Sequence, residues 1–333
     1  MNFETMKSSG NNKSNEILVS VVVITYGHEK YIREALDSIL MQKVNFKYEI
    51  IVGEDCSPDK TREILKEYEK NYPDEFVMIY RDKNIGARKN SYDVHMMCKG
   101  KYIAFLESDD YWIDKNKLQK QVDFLQIHED FIAVTHKVIV IDENGERKNE
   151  TYPCCKENVY SLKHYKKDLL PSQSASIVKR NYYRNYFSDN TILGDPEIWP
   201  GDRLHALIMV SLGKVYCMQE VMSAYRHVTS SGTSFSATCK PSTNQQLLIY
   251  YTSLLEFNNE ELKNKKLTPF LETRRMVAVI RCFGIKSFKN LKPYWNQTQF
   301  KARVSLYISL KLLSWPLRRI TYEISKYKNQ KFN

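Results

Sequence analysis

The segment Lys101–Trp112, KYIAFLESDDYW, sets three acids, Glu107, Asp109 and Asp110, directly behind an apolar run from Tyr102 to Leu106. Carboxylates this close repel one another unless a cation lies between them. Hard oxygen donors of this kind suit Mg²⁺ or Mn²⁺ carrying a phosphorylated substrate. Side chains alternate along an extended chain, so Glu107 and Asp109 fall on one side if the strand continues. The plainer alternative is an acidic turn capping the helix behind it. Metal binding by Asp109 and Glu107 is the reading carried forward.

A short apolar run bounded by charge suits a strand buried on both faces of a parallel sheet, and similar runs precede it. Val19–Tyr26, VSVVVITY, is almost continuously β-branched and predicts a central strand. Ile32, Ala35, Leu36, Ile39 and Leu40 then recur at helical spacing. Tyr48–Val52 predicts a second strand, Ile64, Leu65 and Tyr68 mark a second helix, and Glu75–Tyr80 a third strand. A short helix over 91–99 leads into the acidic strand. This alternation predicts an α/β fold with a mostly parallel sheet and right-handed crossovers. The strands end in polar clusters: Thr25-Tyr26, Glu54-Asp55, Arg81-Asp82 and Glu107 to Asp110. Parallel pairing gathers those ends at one sheet edge, where open α/β sheets bind their ligands. No G-x-G-x-x-G follows the first strand and no G-x-x-x-x-G-K-[ST] occurs, which argues against a dinucleotide fold and a P-loop enzyme.

Composition places the 333-residue chain in the globular class, with 42% apolar and 27% charged residues. There is no run of eighteen apolar residues, so no membrane span is expected. Residues 1–16 read as a disordered leader, without the apolar core of a signal peptide. Seven cysteines form no C-x-x-C pair, and Cys154 and Cys155 are adjacent. Free thiols in a reducing cytoplasm are the expectation. The net charge of +11 is uneven: from Lys263 onward seventeen Lys or Arg face only Glu272 and Glu323, leaving the first 262 residues at about −4.

VSVVVITYGHEKYIREALDSIL, YEIIVGEDCSPDKT, NIGARKN and GKYIAFLESDDYW, in that order, resemble the successive blocks of the family 2 glycosyltransferases. The resemblance runs from Val19 to Ile141 and resumes at Gly201-Asp202 and at Val221–His227. It implies a GT-A fold and an inverting, nucleotide-sugar-dependent, metal-assisted transferase, with a UDP-sugar as the expected donor. It also implies roles for single residues. Thr25 and Tyr26 would line the base and ribose pocket. Asp55, beside Glu54, stands at the second acid of the family's Asp-Asp-Gly-Ser stretch and would hold the uracil or ribose; here the stretch reads Glu54-Asp55-Cys56-Ser57. Asn84, Arg88 and Asn90 would lie near the pyrophosphate. Glu107-Ser108-Asp109 stands at the Asp-x-Asp position, with Asp110 following and Asp109 as the best metal ligand. Apart from the resemblance, His227, after Tyr225-Arg226, is a candidate contact of the pyrophosphate; the alternative is a packed surface histidine.

A departing nucleoside diphosphate gathers negative charge that a divalent cation stabilises. Inverting transfer also needs a base for the acceptor hydroxyl. The candidate is Asp202, heading a helix predicted over 204–212, where the helix terminus favours the ionised form; the alternative is a plain N-cap. Asp195 and Glu197 compete on the same loop. Phe131–Asp142 predicts a strand that closes the sheet. The small-residue run Pro171–Val178 predicts a strand bordering the acceptor cleft, and Thr229–Thr243 a mobile loop.

The expected organisation is a leader over 1–16, a GT-A domain over 17–240 and a basic helical region over 241–333. Within the domain, 17–142 would bind the nucleotide-sugar and 143–240 the acceptor. Leu306, Leu310, Leu313, Leu317, Ile320 and Ile324 form one apolar stripe flanked by Arg and Lys, with Pro316 kinking the helix. An amphipathic basic helix over 302–328 reads as a membrane-surface element on the inner face of the plasma membrane, or as a packing face. The acceptor would be a glycan or lipid-linked hydroxyl in surface-polysaccharide assembly, and no nucleic acid is expected. Other classes carried alongside are a nucleotidyltransferase on a related sheet, and an inactive protein that binds nucleic acid or membrane through the basic tail.

Overall fold

The computed structural model describes residues 16–152, 155–167, 169–182, 201–228, 243–284, 288–304 and 306. The chain divides into two compact units, Met1–Cys239 and Lys240–Asn333.

The first unit opens with three strand–helix repeats: β1 (Val19–Thr25), α1 (Ile32–Leu40), β2 (Tyr48–Glu54), α2 (Thr61–Asn71), β3 (Phe76–Tyr80) and α3 (Ala87–Met97). There follow β4 (Tyr102–Glu107), β5 (Tyr111–Trp112), α4 (Lys117–Ile127), β6 (Phe131–Ile141), β7 (Val159–Tyr160) and α5 (Leu162–Tyr165). A 3₁₀ turn (Ser174–Ser176), β8 (Val178–Arg180), α6 (Asp202–Leu212) and β9 (Lys214–Arg226) complete it. One sheet runs β3-β2-β1-β4-β8-β6-β9-β5, with β7 also paired to β9. β3, β2, β1 and β4 are parallel, β8 is antiparallel to both neighbours, and β6 and β9 are parallel. This is the GT-A arrangement, a largely parallel sheet between helices.

Register separates the two faces of the sheet. Val21, Val23, Val52, Ala104, Leu106 and Val178 pack with Leu36 and Ile39 of α1, Leu65 of α2 and Leu118, Val122 and Leu125 of α4 in one apolar core. The opposite row pairs Val22 with Phe105, Ile24 with Glu107 and Ile103 with Lys179. Helix α3 lies on that second face. Its approach requires Gly53, because a Cβ there would stand 2.6 Å from both Asn90 Oδ1 and Val94 Cγ2. The chain enters α3 through Gly86 at φ +86°, a conformation that favours glycine.

In the second unit a Thr243–Gln246 capping box starts α7 (Asn244–Phe257). A π-turn (Asn258–Leu262), α8 (Thr268–Phe283) and α9 (Phe288–Gln297) follow, with Asn258 Nδ2 donating to Thr268 Oγ1 at 2.9 Å.

Three expectations need correction. β6 is internal, so the short β5 forms the far edge. Pro171–Val178 is mostly turn, with strand only from Val178. The acidic strand ends at Glu107, and Asp109 sits in a turn. Asp195, Glu197, nearly all of the leader and of Thr229–Thr243, and the tail stripe beyond Leu306 lie outside the described residues. Among the described residues no helix is long and apolar enough to cross a membrane.

Candidate functional site

The parallel register carries the C-terminal ends of β1, β2 and β4 to one edge, and a cavity of ≈220 Å³ opens there. Thr25 and Tyr26 from β1, Asp55 behind β2, Asn84 and Asn90 around the start of α3, and Glu107 and Asp109 behind β4 all line it. Asp202 lines it from the start of α6. Thr25 is buried, and its Oγ1 has no hydrogen-bond partner among the described residues. An orphaned buried hydroxyl at a cavity wall suits a polar ligand.

Each wall residue is positioned by its own contacts. Asp55 accepts from the Ile85 and Gly86 amides at 2.8 and 3.0 Å, which ties the β2 end to the loop before α3. Burial pushes its carboxyl up against the pull of those two amides. Asn90 donates to the Gly53 carbonyl at 2.8 Å, and Asn84 accepts from Gly86 N–H at 2.9 Å. Glu107 accepts from Gln173 Nε2 at 3.1 Å. Burial first, then Asp109 and Asp202, hold its carboxyl well above the usual range. His28 Nε2 stands 4.0 Å from Asp109 Oδ2, while its Nδ1 is 2.6 Å from Ser108 Oγ. Burial lowers the pKa of His28 despite the Asp109 and Asp59 charges.

Gly201 takes the capping position of α6, leaving Asp202 at the first helical residue, where it accepts from Ser174 Oγ at 2.7 Å. The sequence reading expects the helix terminus to favour the ionised form. Instead burial dominates: although its surface is exposed, enough protein surrounds the carboxyl to raise it, against the Ser174 hydrogen bond and Lys179. A raised carboxyl is the stronger base once ionised.

Four expected site residues stand elsewhere. Glu54 is fully buried and ion-paired with Arg62, and it accepts from Ser57 N–H at 2.5 Å, so it shapes the loop instead of facing the cavity. Asp110 is buried behind the acidic turn, accepting from Gln173 Nε2 at 2.7 Å and Arg226 N–H at 2.8 Å. His227 lies outside, 3.0 Å from Glu150 and stacked on Tyr225. Arg88 lines a neighbouring cavity.

Sequence reasoning passed over His28, Tyr152, Gln173, Tyr225 and Arg226, all of which line the cavity. Arg226 is 3% exposed and staples the site together. It donates to the Asp109 carbonyl at 2.9 Å, to the Asp142 carbonyl at 2.9 Å and to Glu34 Oε2 at 2.7 Å, with its guanidinium 4.4 Å from the Tyr31 ring centre. No local pattern singles out Arg226, because the acidic turn that it holds lies more than a hundred residues earlier in the chain.

Among the described residues no group of three or more His, Cys, Asp or Glu side chains is disposed to hold a metal ion. Glu107 and Asp109 facing one cavity fit a cation that completes its coordination with substrate phosphates and water.

The glycosyl transferase family 2 model matches residues 20–187, half of the chain. The chain belongs to glycosyl transferase family 2. An uncharacterized protein of Mycobacterium bovis is 43% identical over 209 residues, 62% of this chain and 58% of its own length. This chain therefore spans under two thirds of that relative. TuaG of Bacillus subtilis, a putative teichuronic acid biosynthesis glycosyltransferase, is 39% identical over 108 residues, 32% of this chain and 42% of its own. Among solved structures, S. aureus TarS 1-349 in complex with UDP-GlcNAc superposes with a TM-score of 0.56 at 20% identity, over 84% of this chain and 78% of that one. That likeness is one of fold.

Proposed function

We propose that this chain is an inverting glycosyltransferase that moves a sugar from a UDP-sugar to a hydroxyl of a glycan or lipid-linked acceptor in cell-surface polysaccharide biosynthesis. One observation carries the reading: nucleotide-side residues Thr25, Tyr26, Asp55, Asn84 and Asn90 share a cavity with Glu107, Asp109 and the candidate base Asp202. TuaG supports the polysaccharide setting, and TarS, a protein of this fold, was crystallised with UDP-GlcNAc.

Asp202 takes the proton of the acceptor hydroxyl, whose oxygen attacks the anomeric carbon as the bond to the diphosphate oxygen breaks. Glu107 and Asp109 would hold Mn²⁺ or Mg²⁺ together with the diphosphate, and the cation would neutralise charge on the leaving group. Asp55 and Thr25 hold the nucleoside end. Gln173 and Arg226 fix the acidic turn without touching the reacting atoms.

Calorimetric titration of UDP with and without Mn²⁺ tests this. Wild type should bind UDP only with the metal, and Asp109→Ala should lose that dependence. Asp202→Asn should keep UDP affinity and lose transfer by about 10²–10⁴-fold. Silence towards UDP, GDP and dTDP under every condition would overturn the reading.

A further inference from the structure

His28 lies between β1 and α1 and lines the cavity that holds Glu107 and Asp109. Its loop is tied to the one behind β2: the Gly27, His28 and Glu29 amides donate to Ser57 Oγ, Thr61 Oγ1 and Asp59 Oδ2, each at 3.0 Å. On its other side the ring meets the acidic turn, with Nδ1 2.6 Å from Ser108 Oγ. Ser108 is fully buried, and among the described residues the partner of its hydroxyl is His28. A hydroxyl has one hydrogen, and burying it without an acceptor is costly. Ser108 therefore donates to Nδ1 of the neutral ring, which leaves the ring's own hydrogen on Nε2. A protonated ring carries a hydrogen there too. Asp109 Oδ2 stands 4.0 Å from Nε2, too far for a hydrogen bond, and Nε2 makes none among the described residues. The nitrogens of Gln173 and Arg226, by contrast, are committed to the acidic turn, to Glu34 and to the Asp142 carbonyl.

We propose that His28 is a further catalytic residue, whose Nε2–H donates a hydrogen bond to an oxygen of the departing diphosphate. The proposal deepens the transferase reading and rests on it. Asp109 would share a cation with that diphosphate, so an N–H held beside the Asp109 carboxylate is placed for oxygens of the same group. A donor fixed before charge develops stabilises it without reorganisation at the moment of reaction. Ser108 does the fixing, because its hydrogen bond sets the orientation of the ring and the nitrogen that carries the hydrogen. No proton is transferred; the hydrogen bond strengthens as the oxygen gains charge. A ring that served only to tie the loop to the turn would account for the Nδ1 contact and leave the N–H at the cavity wall without a use.

The experiment titrates the full chain with UDP and Mn²⁺ by calorimetry, and with uridine by ligand-observed NMR, in wild type and two variants. His28→Asn keeps an oxygen near the Nδ1 position to accept from Ser108 and loses the outer N–H. His28→Gln carries an amide nitrogen towards the Nε2 position. His28→Asn should weaken UDP binding by about tenfold or more and leave uridine binding unchanged. His28→Gln should recover most of that loss. A purely structural tie would move both ligands alike. In wild type with nitrogen-labelled histidine, the His28 Nε2–H signal, assigned by its absence from His28→Gln, should move downfield with UDP and Mg²⁺ and stay in place with uridine. That measurement decides the matter if His28→Asn fails to fold. Equal losses for UDP and uridine, wild-type affinity in His28→Asn, or an Nε2–H signal unmoved by UDP and Mg²⁺ overturns the assignment, and the transferase reading stands as long as wild type binds UDP. A wild type that binds no nucleoside diphosphate overturns both.

Discussion

The two faces of the central sheet are built from the same strands and do opposite things. The face under α1, α2 and α4 is closed by Val, Leu and Ile side chains into one continuous core. The face under α3 and α6 places Glu107, Lys179, His95 and His205 around two cavities. A parallel strand is ordinarily apolar on both sides. The rows that depart from this rule, Ile24–Glu107 and Ile103–Lys179, are those that reach the two cavities. Stability is concentrated on one face and chemistry on the other.

The largest effect that would break this comparison is a packing one. Leu36→Ala, in the closed core, should cost about 2–5 kcal/mol in urea denaturation and leave UDP affinity unchanged. Phe105→Ala, which opens onto an existing cavity, should cost less although it removes the larger side chain. Equal costs would show both faces to be equally well packed.

A second test uses charge. An unfolded lysine titrates near 10.4, about where model peptides do, whereas burial brings Lys179 down to about 7. The unfolded chain thus holds the proton more firmly. The buried amine opposes folding fully below about pH 7, and the opposition fades as pH rises towards the unfolded value. Lys179→Met should therefore raise the Tm more at about pH 6.5 than at about pH 10. A gain independent of pH would mean that Lys179 carries no buried charge.

The smallest effect concerns the loop behind β2. Cys56 sits at φ +59°, in the left-handed region, at the position of the family's glycine. Cys56→Gly should relieve about 1 kcal/mol of strain, raising the Tm by roughly 2–4 °C in a differential scan. A lower Tm would show that the contact of Cys56 Sγ with the Asp82 carbonyl outweighs the strain.

Much of this was legible in the chain. Strand order in the parallel half follows from the apolar runs and their alternation with helices, and the polar strand ends do converge. Adjacent acids were harder to resolve, because consecutive side chains diverge. Of Glu54-Asp55 one lines the cavity and the other is ion-paired with Arg62; of Asp109-Asp110 one faces the cavity and the other turns to Gln173 and Arg226. The groups that sequence missed come from far along the chain. Gln173 and Arg226 meet the acidic turn through pairings across 63 and 116 residues, and no local pattern encodes such distances.

That separation has a consequence for how the protein forms. The β1–β4 half can pair through short crossovers as the chain is made, but the acidic turn gains its staple only when β9 slots between β6 and β5. Long-range closure of this kind is slow. During synthesis from the amino end, the apolar core is assembled before the acids are fixed in place. Refolding should therefore show two clocks: recovery of secondary structure first, and recovery of nucleotide binding after it.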